Sequence, residues 1–269
     1  MTSSLPAITS LTNPRVKAAV RLRDRRERES TGLTLIDGAR ELLQALSAGA
    51  SVEMVFVAPS QVHSDEARAA LQDAEGKVPD IVEVSEAVIA KLAFGDRSDG
   101  IVAIVRAGST DLESLRLTPG VPLVVVVEGV EKPGNLGAIL RTADGAGASG
   151  LIAADPLTDL FNPNAIRASL GTIFRVPIAA ASTPATLDWL TSRGIAPIAA
   201  HVNGTLPYTD VDLRGPVAIV LGSEATGLST GWDDPRVRAV RIPMLGTADS
   251  LNVSVAAAIV LYEAVRQRT

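Results

Sequence analysis

Residues Leu123–Gly150 read LVVVVEGVEKPGNLGAILRTADGAGASG. An apolar run, Leu123–Val127, ends in a turn rich in Gly and Pro, and a helix-like segment follows. An apolar strand without polar alternation belongs to a parallel sheet covered on both faces. Ligands of such sheets sit beyond the carboxyl ends of the strands, so this turn decides what kind of α/β protein the chain makes. Gly129 and Gly134 have the spacing of a phosphate loop, but Asn135 and Leu136 stand where that loop needs Lys and a hydroxyl. Pro133 removes one N–H from the cradle, and Glu128 and Glu131 would repel phosphate. Gly145, Gly147 and Gly150 spell G-x-G-x-x-G, but they follow the helix and precede a strand. That is the wrong place for a dinucleotide fingerprint; a helix stop and a turn are expected.

Outward from this unit, GLIAAD (150–155), RVPIAAA (175–181), IAPIAAH (195–201), PVAIVLGS (216–223) and AVRIPM (239–244) are further short apolar strands separated by helical stretches. The closing SLNVSVAAAIVLYEAVRQR reads as a helix, with Ser250 able to cap it and Leu251, Val255, Ile259 and Tyr262 on one face. Toward the amino end, RVKAAVRLRDRRERES (15–30) reads as one helix. Strand-like GLTLIDG, VEMVFVA, DIVEVS and GIVAIVRA then alternate with helix-like ARELLQALSAG, DEARAALQDA and EAVIAKLA. The alternation predicts a small α/β sandwich. GSTDLESLRLTPG (108–120) breaks the apolar rhythm and reads as a linker. The expected division is 1–106, a linker over 107–119, and 120–269.

Composition narrows the function. A length of 269 residues suits two domains, and 46% hydrophobic residues can fill substantial cores. No apolar run is long enough to span a membrane, and the start has no basic stretch leading into an apolar one, so neither an anchor nor a secretory signal is expected. Cysteine is absent, which excludes disulfides, thiolate metal sites and a Cys nucleophile and fits a cytoplasmic protein. His63 and His201 are far apart and no G-x-S-x-G occurs, so neither a His-rich metal site nor a serine-hydrolase elbow is expected. The net charge of −5 argues against a strongly basic nucleic-acid binder. Yet Arg15, Lys17, Arg21, Arg23, Arg25, Arg26 and Arg28 form a local basic stripe. It reads equally as a phosphate-backbone contact or as a solvated face of Arg–Glu pairs. An aromatic content of 3% speaks against a base-stacking platform.

Chemistry is expected in three strand-end loops, 128–141, 221–228 and 243–252. They carry Asn135 and Arg141; Glu224 between Gly222 and Gly227; and Ser250 and Asn252. Each residue alone has an ordinary role, as a turn former, surface residue or cap. The combination is informative: glycines admit a flat ligand close to the backbone, and an arginine offers a planar fork of donors to an oxyanion or phosphate.

NLGAILRT, LGSEATGL and IPMLGTADSLNVSVAAAI resemble, in order and spacing, the three motifs of the SpoU (TrmH-like) RNA 2′-O-ribose methyltransferases of the SPOUT superfamily. NAIRASLGTIFRVP (164–177) resembles a further stretch usual between the first two motifs. The resemblance covers about residues 120–269; residues 1–106 look like the ribosomal-protein-like substrate-binding domain that many members carry in front. It implies a parallel-sheet domain with a deep trefoil knot, S-adenosylmethionine as cofactor, and a homodimer with its active sites at the interface. It also implies that Leu221, Gly222, Ile242, Met244 and Leu251 bind the cofactor, and that Asn135, Arg141, Glu224, Ser250 and Asn252 form the catalytic set. Arg167 matches an arginine that contacts RNA or supports catalysis in some relatives and is expected to bind RNA, alongside Arg15, Lys17, Arg21 and Arg23 of the stripe. No metal is needed, because a sulfonium methyl is already electrophilic. The front domain favours ribosomal over transfer RNA as substrate. A tRNA 2′-O-methyltransferase and a non-catalytic RNA-binding protein of the same fold remain alternatives, and the sequence leaves housekeeping and antibiotic-resistance roles both open.

Overall fold

The computed structural model describes residues 7–94 and 99–269. The chain packs as two compact units, one of residues 1–108 with 161–175, the other of 109–160 with 176–269.

The first unit holds a four-stranded mixed sheet of order β1-β4-β2-β3, made of β1 (Leu33–Asp37), β2 (Val52–Val57), β3 (Ile81–Glu83) and β4 (Ile101–Arg106). β4 runs antiparallel to β1 and β2, and β3 parallel to β2. The helices are α1 (Pro14–Arg21), α2 (Arg25–Thr31), α3 (Ala39–Ser47), α4 (Asp65–Ala74) and α5 (Glu86–Leu92). The single helix expected over 15–30 is thus two. Asp24 ends the first run by capping the second, its carboxylate accepting the Arg26 N–H at 2.8 Å. Buried Arg28 then donates to the carbonyls of Leu22 and Arg23, both at 2.8 Å, so the break between the helices leaves those groups satisfied. The excursion 161–175 supplies α7 (Pro163–Ala168), which packs beside β1. The buried Thr34 hydroxyl donates to the Phe161 carbonyl at 2.7 Å, and the rings of Phe161 and Phe174 lie 6.1 Å apart.

The second unit is the expected parallel sheet. Its seven strands are β5 (Leu123–Glu128), β6 (Gly150–Ala154), β7 (Ile178–Ala181), β8 (Ala196–Ala200), β9 (Leu206–Pro207), β10 (Val217–Leu221) and β11 (Arg238–Arg241). They stand in the order β7-β6-β5-β10-β8-β11-β9. Only the two-residue β9 has no counterpart in the sequence reading. Successive side chains point to opposite faces. Val124 and Val126 join Leu187 and Leu190 of α8 (Thr183–Ser192) in one core cluster. Val125 and Val127, equally buried, point to the face where α6 (Pro133–Gly145) and α9 (Val253–Arg268) pack on each other. The stretch 109–120 is held in this unit: Leu112 and Leu115, each 7% exposed, lie in the same cluster as Val124.

Strands β5, β6 and β7 step outward in one direction; the chain then crosses to β8, and β10 enters between β5 and β8. The order therefore reverses at β5/β10, and such a switch point opens a crevice at the strand ends. Val127 pairs with Leu221 in register, so the loops after both strands leave at the same level. Gly145 ends α6 and Gly147 takes φ +66° in the turn before β6, as expected of a helix stop.

Two expectations for the last helix are corrected. Its cap is Asn252 rather than Ser250, with the Asn252 Oδ1 accepting the Ser254 N–H at 2.9 Å. Its buried face is Ala257, Val260, Leu261 and Ala264, whereas Val255 and Tyr262 are exposed. The apolar stripe read from the sequence exists, but the core takes the neighbouring face, where small side chains let α9 approach α6 closely.

Candidate active site

Two adjoining cavities open at the β5/β10 crevice. The larger, of about 490 Å³, is lined by the ends of β8 and β10, the loop 222–228 and the segment 242–253. The smaller, of about 250 Å³, lies against the loop after β5 and the start of α6. Gly222, Ser223, Glu224, Ala225 and Val253 line both.

The larger cavity is shaped by close backbone passage. A Cβ on Gly222 would fall 2.2 Å from the Gly227 carbonyl carbon and 2.4 Å from the Leu228 nitrogen, so only glycine fits there. The loop closes on itself through Ser223 and Gly227, whose backbones exchange hydrogen bonds of 3.1 and 3.0 Å. Leu221, Gly222, Ile242, Met244 and Leu251, expected to hold a cofactor, all line this cavity. The volume lies within the range of small-molecule sites. Apolar Leu, Ile and Met walls beside backbone groups suit the flat base and the methionine-derived chain of S-adenosylmethionine. The sequence reading missed His201 and Asn203 at the end of β8, which line the same cavity; the His201 Nδ1 accepts the Asn203 N–H at 3.0 Å.

In the wall of the smaller cavity, the buried Glu128 at the end of β5 fixes the architecture. It accepts the hydroxyls of Thr183 (2.7 Å) and Ser229 (2.6 Å) and the Ser229 N–H (2.7 Å). The carboxylate that looked like a repellent to phosphate ties the start of α8 to the loop after β10.

Three of the five expected catalytic side chains meet. The Asn252 amide nitrogen donates to Glu224 and lies 3.4 Å from the Asn135 Oδ1. Lys132, the residue before α6, puts its ammonium 2.6 Å from the Glu224 Oε2. The Lys132 ammonium beside Glu224 holds that carboxyl below the usual carboxylate range, and Glu224 raises the lysine in return. Ser250 lines the larger cavity, and its side chain makes no hydrogen bond among the described residues. Arg141 stands apart. It is exposed on α6, six residues beyond Asn135 and so about 120° around the helix, and it lines neither cavity.

The expected RNA contacts lie in the first unit and mostly have protein partners. Arg15 pairs with Asp80 at 2.9 Å and Arg21 with Glu27 at 3.4 Å. Arg23 donates to the carbonyls of Lys91, Leu92 and Ala93, closing the end of α5. Lys17 is exposed and pairs with no other side chain among the described residues. Arg167 donates to the backbone carbonyl and carboxylate of Asp37, both at 3.2 Å. Nearby Glu41 is raised from its ordinary value by burial. Among the described residues no cluster of His and carboxylates could hold a metal, and no helix is long and apolar enough to cross a membrane.

This chain is similar to known proteins in sequence and in fold. The SpoU rRNA Methylase family model matches residues 122–262, and the model of the MRM3-like substrate binding domain matches 13–103. A solved RNA 2′-O ribose methyltransferase superposes with a TM-score of 0.85 at 42% identity, over 98% of this chain and 99% of its own. An AdoMet-bound rRNA methyltransferase from Sinorhizobium meliloti gives 0.86 at 32% identity, over 98% of both chains. The 23S rRNA (uridine(2479)-2′-O)-methyltransferase of Streptomyces viridochromogenes is 30% identical over 92% of this chain and 87% of its own. The family model covers more than half of this chain and its relatives match it end to end: the chain belongs to the SpoU rRNA methylase family.

Proposed function

We propose that the protein transfers a methyl group from S-adenosylmethionine to a ribose 2′-hydroxyl of ribosomal RNA in the cytoplasm. The observation that carries this reading is the shared wall of the two cavities. Residues expected to hold the cofactor line one, Asn135 lines the other, and Glu224 faces both. Bound in the larger cavity, S-adenosylmethionine supplies an electrophilic methyl group. The chain's own task is then to place the hydroxyl in line, exclude water and manage its proton. Asn135 orients the acceptor side, Asn252 braces it through Glu224, and Ser250 lies on the cofactor side. The substrate names of the relatives favour rRNA, and the first unit is assigned to RNA contact through its match to a substrate-binding domain.

The active form is proposed to be a homodimer. The exposed apolar Val255 and Tyr262 on α9 supply a face for a second copy, and Arg141 lies outside its own chain's cavities. Arg141 would then serve the neighbouring protomer's site, stabilising the developing alkoxide and gripping the adjacent phosphate as a permanent cation. The close passages of Gly222 against Gly227 and of Gly204 against Val240 suit the knotted crossing expected for the second unit.

Calorimetric titration with S-adenosylmethionine, followed by tritiated methyl transfer to deproteinised ribosomal RNA and to tRNA, tests the reading. Saturable cofactor binding with label on rRNA ribose is the expected result. Binding without transfer to either RNA would leave a non-catalytic RNA binder; label on tRNA alone would move the substrate.

A further inference from the structure

We propose that Lys132 binds the phosphodiester beside the target ribose, and that its move from Glu224 to that phosphate makes Glu224 the proton acceptor of the 2′-hydroxyl. The inference rests on the methyl-transfer reading above.

Lys132 is rooted and yet free to swing. Its backbone carbonyl accepts the N–H groups of Asn135 (3.0 Å) and Leu136 (3.2 Å), which fixes its Cα at the start of α6. Its side chain is 70% exposed at the rim of the smaller cavity. The ammonium has three donors, and the one bond to Glu224 leaves the others to solvent. An ion pair in such an exposed setting is weak, so a phosphodiester seated at the rim competes for it directly.

Glu224 keeps its place when Lys132 leaves. Its second oxygen is held by the Asn252 amide. Asn252 is itself fixed, its Oδ1 accepting the Ser254 N–H at 2.9 Å and the Ser254 hydroxyl at 2.6 Å. The exchange therefore removes a cation from the Glu224 Oε2 without moving the carboxylate, and the carboxylate becomes more basic as the acceptor arrives.

Elimination points to the same oxygen. Arg141 is permanently protonated and takes no proton. The smaller cavity has three carboxylates, Glu128, Glu131 and Glu224. Both Glu128 oxygens are occupied by Thr183 and Ser229, and Glu131 does not reach the larger cavity. Glu224 alone lines both, where the acceptor oxygen and the methyl group have to meet. As the ribose oxygen gains the methyl, its O–H bond breaks and the proton passes to the Glu224 Oε2 and on to solvent. The electron pair of the broken sulfur–carbon bond stays on sulfur.

The test uses the full-length protein with deproteinised ribosomal RNA. RNA affinity is measured across a salt series, cofactor affinity by calorimetry, and tritiated transfer at saturating RNA, for wild type, Lys132→Met, Lys132→Arg, Glu224→Gln and the double variant Lys132→Met/Glu224→Gln. With exchange, Lys132→Met lowers the slope of log affinity against log salt by about one, and Lys132→Arg restores it. Cofactor affinity is retained in both. Glu224→Gln binds RNA more tightly than wild type, because no carboxylate holds the lysine back, yet its transfer rate falls about a hundredfold or more. The added Lys132→Met removes the gain in RNA affinity. An unchanged salt slope in Lys132→Met, a parallel loss of cofactor affinity there, or near-normal turnover in Glu224→Gln each overturns the proposal. A wild-type protein that binds cofactor and methylates no RNA removes the underlying reading as well, and is told apart by the wild-type control.

Discussion

Gly222 and Gly227 approach so closely that a single methyl group on the first would overlap the carbonyl carbon of the second, at 2.2 Å. The contact closes the loop after β10 over the larger cavity. Gly222→Ala must push the 223–228 loop away, an overpacking strain of about 1–3 kcal/mol. Affinity for S-adenosylmethionine should fall about tenfold or more while circular dichroism stays native. Calorimetric titration checks this, and wild-type affinity would show that the loop does not form the cofactor wall.

Glu128 joins three elements through one buried carboxylate. Glu128→Ala leaves the Thr183 hydroxyl and the Ser229 N–H without their acceptor and should cost about 2–4 kcal/mol in urea unfolding. Glu128→Gln keeps one acceptor oxygen and should lose less.

Arg141 makes no contact with the Asn135–Glu224–Asn252 group. Arg141→Ala should abolish methyl transfer and leave cofactor titration unchanged. Arg141→Lys should restore little, since an ammonium lacks the planar fork. If Arg141 acts across a dimer, a mixture of Arg141→Ala and Asn252→Ala proteins regains activity that neither has alone. A mixture that stays inactive would place Arg141 in its own protomer's site.

The Arg266 guanidinium and the Gln267 amide lower the Glu263 carboxyl to about 2, from an ordinary 4.5. The folded value lies below the unfolded one, so the group's contribution is complete above 4.5 and is lost as pH falls toward 2. The stability difference between wild type and Glu263→Gln should be constant near neutrality and shrink across that window. Urea midpoints at several pH values measure it; a difference growing toward low pH would contradict it.

Much of the second unit was legible because its signals are local. Buried parallel strands are apolar throughout, and β5, β6, β8 and β10 fall where the apolar runs stand. The glycine-flanked turn around Glu224 and the polar residues before α9 mark the strand ends that line the cavities. What the sequence hid depends on distant partners. Lys132 reads as one charge in a glycine-rich turn until Glu224, far along the chain, is brought beside it. The face of α9 was misjudged because a helix apolar nearly all round carries little directional signal, and alanines set the core side. The basic stripe looked like one surface, yet Arg23 and Arg28 spend their donors on helix-end carbonyls.

Residues 161–175 follow β6 and precede β7, yet they complete the first unit, where Thr34 needs the Phe161 carbonyl and Asp37 holds Arg167. On a ribosome, Thr34 and Asp37 therefore meet these partners only after β5, β6 and residues 161–167 have emerged. A truncation at residue 108 would leave the buried Thr34 hydroxyl without the Phe161 carbonyl and Asp37 without the Arg167 guanidinium.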